Sequence, residues 1–268
     1  MVEPKLPGAV ERYVNLGDCY DRAGLQAVRA ELTACMKGYK GCYQRAYRCL
    51  TAAAQIGEDM RAALITPAVE AKLAKRTKGI LAREVKKSGK EPGKAVQRFL
   101  GAITWKGVVC NFDTVDALCR RVYELSDSYG LGHVMLTHLA TGAMAAGYDV
   151  ILCPSPMWPD RIEHLLIPAL SLAFVTSTPA LPYGKRPYRR LRLDAMADQE
   201  VMRHLRARLR FSKKVSAALV EEAVESLAQA KAMHDELESL YNPHVDFDQV
   251  YRTAGEIVEE LKARLHSA

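Results

Sequence analysis

The residues best placed to do chemistry form one short run, Ser126-Asp127-Ser128-Tyr129-Gly130-Leu131-Gly132-His133-Val134. A strand-like segment, Arg121–Leu125, leads into it, and a helix-like segment, Gly132–Ala146, leads out. Such a strand, glycine-bearing loop and helix N-terminus favour an anion, because unpaired backbone amides and the positive end of the helix dipole converge there. A working phosphate loop of this kind reads G-x-x-x-x-G-K-[ST]. Here its positions fall on Asp127, Gly132, His133 and Val134, with Gly130 adding freedom inside the loop. Asp127 sets a carboxylate where a glycine would let phosphate approach. His133 replaces the lysine that reaches the outer phosphates; it is shorter and, with a reference pKa of about 6.5, mostly neutral at neutral pH. Val134 replaces the hydroxyl that ligates Mg²⁺. The expectation is the shape of a phosphate site with weak or absent binding of ATP and Mg²⁺, and with no catalytic residue in place.

Other reactive residues are less organised. The chain has seven cysteines, an odd number, and no pair has C-x-x-C spacing. The first residues, Met-Val-Glu-Pro-Lys-Leu-Pro-Gly, contain no apolar signal core. Free thiols in a reducing cytoplasm are therefore expected. Cys35, Cys42 and Cys49 recur every seven residues, which predicts a buried seam on one helical face rather than a metal site. Cys153 lies near Asp160 and His164 in sequence, but no orienting motif makes a nucleophile of it. His133 as a general base has no visible partner.

Basic residues cluster twice. Nine lie in Lys72–Lys94, and Lys185, Arg186, Arg189, Arg190 and Arg192 surround Tyr188. Such clusters could serve a polyanion or nucleic acid, or simply a solvated face. The whole chain of 268 residues carries 38 basic and 31 acidic groups, a net charge of +7. With 49% hydrophobic and 26% charged residues it is neither a collagen nor a disordered tail. Its longest nearly apolar run, Leu165–Thr176, is shorter than the roughly 20 residues of a membrane-spanning helix.

The positioning elements follow from hydrophobic spacing. Apolar residues from Asp21 to Leu64 recur three and four apart, predicting a long helix that Gly38 and Gly41 could kink or split in two. Thr66-Pro67 ends it, and a second helix is expected over Val69–Lys87. After a polar linker, short strands are expected at Phe99–Thr104, Arg121–Leu125, Tyr148–Cys153 and Leu172–Val175, with helices at Asp113–Leu118, Gly132–Ala146 and Pro159–Leu166. This alternation predicts an α/β fold with a parallel sheet. Asp198–Leu240 and Asp246–Leu265 read as two further helices. The expected division is 1–94 as an N-terminal helical arm and linker, 95–185 as the α/β domain, and 186–268 as a C-terminal helical arm.

The two helical parts also read as copies. An offset of 177 residues brings Asp21 onto Asp198, Leu32 onto Leu209, Ala46 onto Ala223 and Ala53 onto Ala230. After a one-residue slip, Pro67 meets Pro243 and Arg76-Thr77-x-Gly79 meets Arg252-Thr253-x-Gly255. If one unit is an α/β domain followed by a helical hairpin, the α/β part of the first unit is absent.

Several stretches carry a resemblance to a known family. They are Glu3-Pro4-Lys5-Leu6-Pro7-Gly8-Ala9-Val10-Glu11, Val14-Asn15-Leu16-Gly17-Asp18, Arg45-Ala46-Tyr47-Arg48 and Ala102-Ile103-Thr104-x-x-Gly107. The densest are Gly147-Tyr148-Asp149-Val150, Cys153-Pro154, Pro159-Asp160-Arg161-Ile162-Glu163-His164 and Ile167-Pro168. In order and spacing the chain resembles an uncharacterised bacterial family of tandem P-loop ATPases, with two P-loop units and helical arms. The resemblance implies a P-loop NTPase-like fold with two long helical-hairpin arms and a missing first P-loop domain, so that a P-loop domain of another chain is a candidate partner. It maps the family's second phosphate loop onto Asp127–Val134. No acid for a Walker B role follows Leu172–Val175, where Thr176-Ser177-Thr178 stands.

Overall fold

The computed structural model of the protein describes Leu6, Gly8, Ala9 and residues 11–266. Five residues of the first stretch carrying the resemblance, Glu3, Pro4, Lys5, Pro7 and Val10, lie outside the described residues. In chain order the helices and strands are α1 (Arg22–Ala27), α2 (Arg29–Leu64), α3 (Pro67–Glu84), β1 (Ala95–Gln97), β2 (Gly101–Thr104), β3 (Gly107–Cys110), α4 (Phe112–Leu118) and β4 (Arg121–Ser126). There follow α5 (Gly132–Ala145), β5 (Val150–Pro154), β6 (Ile162–Ile167), β7 (Leu172–Ser177), β8 (Arg189–Arg192), α6 (Gln199–His204), α7 (Arg206–Tyr241) and α8 (Phe247–His266). None of the described helices is long and apolar enough to cross a membrane.

The chain divides into two compact units. One combines residues up to 42 with those from 229 onward; the other is 43–228. In the larger unit six strands form a mixed sheet in the order β1-β5-β6-β7-β4-β8. β4 lies parallel to both β7 and β8, whereas β6 runs antiparallel to β5 and β7. The expectation of a parallel sheet is thus corrected to a mixed one. The helix predicted over Pro159–Leu166 is instead a turn followed by β6. That strand is buried on both faces, with Leu165 and Ile167 on one side and Leu166 on the other. Burial on both faces erases the alternation that marks a strand, and the remaining Ile162-Leu165-Leu166 spacing mimics a helix. The strand predicted at Phe99–Thr104 exists as β2 but pairs only with β3, and the edge strand β1 is an addition.

Apolar layers cover both sheet faces. On one, α3 supplies Val69, Leu73 and Ile80, and α5 supplies Met135, Leu136 and Leu139, against Tyr123, Leu125 and Phe174. On the other, Leu100, Phe112 and Val115 meet Val122, Ala173 and Val175. A polar knot joins α3 to β4. Buried Glu84 accepts from Tyr123 Oη (2.5 Å), Arg121 Nη1 (2.5 Å) and Arg83 Nε (2.9 Å). Burial works to raise the Glu84 carboxyl, but the hydrogen bonds and the two guanidinium charges outweigh it and hold the pKa below its ordinary value.

The smaller unit is built around Leu32, Cys35 and Leu237, with Val28, Tyr39 and Met233 packed on them. α2 runs unbroken through Gly38. A Cβ there would lie 2.1 Å from the Met233 methyl, so glycine serves close helix approach. Of the predicted seam Cys35 and Cys42 are buried and Cys49 is half-buried, and Cys35 Sγ donates to the Met233 carbonyl at 2.9 Å. All seven cysteines are free.

The repeat is visible in the element boundaries. α1 and α6 have six residues each, and α2 and α7 have 36 each. Both pairs, and the 3-10 turns Leu16–Cys19 and Leu193–Met196 before them, stand 177 residues apart. Asp21 and Asp198 cap α1 and α6 alike, each carboxylate accepting from the amides two and three residues on. The breaks also coincide, at Val28 and Leu205.

Candidate functional site

The loop after β4 is held by its own acid. Asp127 is 4% exposed, and its Oδ2 accepts from the Gly132 amide at 2.6 Å while Oδ1 accepts from the Tyr129 amide at 3.1 Å. Gly130, with φ +74°, turns the chain between these donors. Asp194 Oδ1 takes the Ser128 amide at 2.8 Å. Two carboxylates therefore occupy three amides of the loop. Burial pushes the Asp127 carboxyl upward, the amides of Gly132, Tyr129 and Leu131 pull it down, and the charge of Asp194 adds to the upward push. Asp127 thus accepts from the amides of its own loop.

The other predicted positions are also diverted. His133 Nδ1 accepts from the Ile162 amide at 3.0 Å, which ties the ring to the start of β6. Burial, with Arg161 and Arg61 nearby, lowers its pKa below the ordinary imidazole value. Val134 packs on the sheet core. Beside the loop, Glu58 bridges Arg61 and Arg161. The Arg61 hydrogen bond leads the effects that lower the Glu58 carboxyl to about 2, against some desolvation.

Sequence reasoning missed Glu163. It lies on β6, and burial first and the Asp127 charge after it raise its carboxyl to about 7, against a hydrogen bond from Ser155. It went unnoticed because its segment read as a helix. The reactive-thiol alternative finds no support. Burial raises Cys153 to about 11, and it lowers His164, its cross-strand partner, to about 3. His164 Nδ1 accepts from the Thr176 amide at 3.2 Å, a structural role.

The basic clusters are sorted by their partners. Lys185 binds Asp113 at 2.7 Å and Asp116 at 2.5 Å, and Arg190 binds buried Glu124 at 2.6 Å. Arg189 lies over the Tyr188 ring. On α3, Lys72, Lys75 and Arg76 line a surface cleft of about 520 Å³. A third cluster went unread in the sequence: Arg203, Arg206, Arg210 and Lys213 on α6 and α7 line a cleft of about 470 Å³ with Tyr129 of the loop. Its signal was the run Arg203-His-Leu-Arg-Ala-Arg-Leu-Arg-Phe-Ser-Lys-Lys214, masked by the apolar periodicity of the helix. Among the described residues one trio, His234, Asp235 and Glu238, brings metal-ligand atoms together, on the exposed side of α7. Compared with models of protein families, with curated proteins and with solved structures, the chain matches none.

Proposed function

We propose that the protein is a P-loop NTPase-like member of the ATPase class whose phosphate loop binds ATP weakly or not at all and does not hydrolyse it. The supporting observation is the Asp127 carboxylate on the amides of Gly132 and Tyr129. The residues do not fit ATP·Mg²⁺: the phosphate position holds a carboxylate, and neither His133 nor Val134 offers the lysine or hydroxyl chemistry. The run from β4 through a glycine-bearing loop to α5, with parallel strands on both sides of β4, supports the P-loop-like reading. The free thiols support a reducing, cytoplasmic setting. The test is a titration of ATP·Mg²⁺ by calorimetry, with an ATPase assay, on the natural protein and on Asp127→Gly/His133→Lys/Val134→Ser. Hydrolysis at background and tighter ATP binding by the variant are expected. Robust Mg²⁺-dependent hydrolysis that survives His133→Ala would refute the reading.

A second reading is a partner- or nucleic-acid-binding protein that uses basic helical arms. The cations Lys72, Lys75 and Arg76 support it, since none is in an ion pair among the described residues. Duplex titration at low and moderate salt tests it, and absence of binding at low salt removes it. The repeat supports a protein partner as well. Leu193 is fully buried, yet its repeat mate Leu16 is 52% exposed. α3 buries five residues in the larger unit, whereas α8 buries none and exposes Phe247, Tyr251, Val258, Leu261 and Leu265 along one stripe. A P-loop-like α/β domain from another chain would cover that stripe as the sheet domain covers α3.

A further inference from the structure

The cleft beside the closed loop has an electrostatic problem that the fold leaves unsolved. Arg206, Arg210 and Lys213 stand four and three residues apart on α7, so they share one helix face over about 10 Å. Arg203 joins them from the end of α6, and all four line the cleft of about 470 Å³. Several other cations of this unit are matched. Arg61 and Arg161 hold Glu58, Arg190 holds Glu124, and Lys185 holds two aspartates. None of the four cleft cations is in an ion pair among the described residues. Four like charges facing one concavity repel one another, and an anion within it relieves that repulsion. Three are arginines, whose planar forks match phosphate oxygens. Tyr129 also lines the cleft, with the Lys213 ammonium 3.9 Å from its ring centroid. Met202 and Leu209 add apolar wall. Its volume lies in the range of small-ligand sites.

We propose that this cleft binds an oligophosphate, the charged chain of a nucleoside triphosphate or of a free polyphosphate, through Arg203, Arg206, Arg210 and Lys213. The phosphate would be held by side-chain cations next to the closed loop and not by the loop amides. The inference goes beyond the closed-loop reading and fails separately from it: changes at Arg206 and Arg210 test the cleft, and changes at Asp127 test the loop.

The experiment is calorimetric titration of the full chain with inorganic triphosphate, with ATP and, separately, with a short DNA duplex, without Mg²⁺ and at low salt. The same titrations are run on Arg206→Glu/Arg210→Glu. Arg98→Glu/Lys106→Glu, exposed positions outside the cleft, carries the same change in net charge. Circular dichroism and thermal melting confirm that each variant is folded. Triphosphate is expected to bind the natural protein, to weaken tenfold or more in the cleft variant and to change less than twofold in the control. ATP binding more tightly than triphosphate would identify a nucleotide as the source, and equal affinity a bare phosphate chain; either supports the assignment. No triphosphate binding, or equal losses in both variants, overturns it. Duplex binding abolished by the cleft variant but not displaced by triphosphate also overturns it, in favour of nucleic acid.

Discussion

Removal of the Asp127 carboxylate should both destabilise the fold and open the loop to an anion. In Asp127→Ala the amides of Gly132 and Tyr129 lose their acceptor inside a buried loop. A buried donor left unpaired costs about 1–3 kcal/mol, so the two together cost about 2–6 kcal/mol. Loss of a carboxylate that burial disfavours returns part of this. The net expectation is a loss of about 2–4 kcal/mol. At about 2–4 °C per kcal/mol for a unit of this size, Tm falls by about 4–16 °C. Asp127→Asn keeps one carbonyl acceptor and should fall in between. Inorganic phosphate should then rescue Asp127→Ala selectively, because it supplies the missing acceptor. An anion at a hundred times its Kd returns about 2.7 kcal/mol. The assay is differential scanning fluorimetry over a phosphate series, with sodium chloride at matched ionic strength. The reasoning is refuted if Asp127→Ala melts within about 1 °C of the natural protein, or if phosphate raises both melting temperatures equally.

Other outcomes follow from single contacts. Arg190→Glu should lower Tm by several degrees, since it places an acid against buried Glu124, whereas Arg186→Glu should leave it unchanged; thermal melting distinguishes them. Glu163 has an ordinary pKa of 4.5 and a folded value of about 7. Between those values only the folded chain holds the proton, so stability falls as pH rises through that window. Glu163→Gln should flatten that fall and melt a few degrees higher than the natural protein above pH 7, as urea or thermal unfolding at several pH values will read. Ser226 Oγ is fully buried with no hydrogen-bond partner among the described residues, so Ser226→Ala should be neutral or stabilising by about 1 kcal/mol in urea denaturation.

Much of the helical part was legible because its signals are local. Asp21, Asp198 and Thr66 are caps, the Thr66-Pro67 and Asn242-Pro243 pairs end the long helices, and the offset of 177 residues needs only the chain itself. The loop between β4 and α5 was legible for the same reason, since a strand, two glycines and a helix start sit next to one another in sequence. What occupies that loop was only half legible. A carboxylate at 127 reads as repulsion until the turn at Gly130 folds it back onto Gly132, five residues on.

The remaining features were decided by contacts between distant residues. β6 became a strand because β5 and β7 offered it two unpaired edges, which its own pattern did not announce. Arg190 looked like part of a free basic patch until the register of β4 and β8 set it beside Glu124, 66 residues away. The cations on α6 and α7 read as an ordinary helix face until the loop carrying Tyr129 came to lie against them. Short-range propensity and capping act along the chain and survive in the sequence. Whether a charge is neutralised, buried or left facing a cleft depends on which segment packs against it, and that choice is made by the whole core at once.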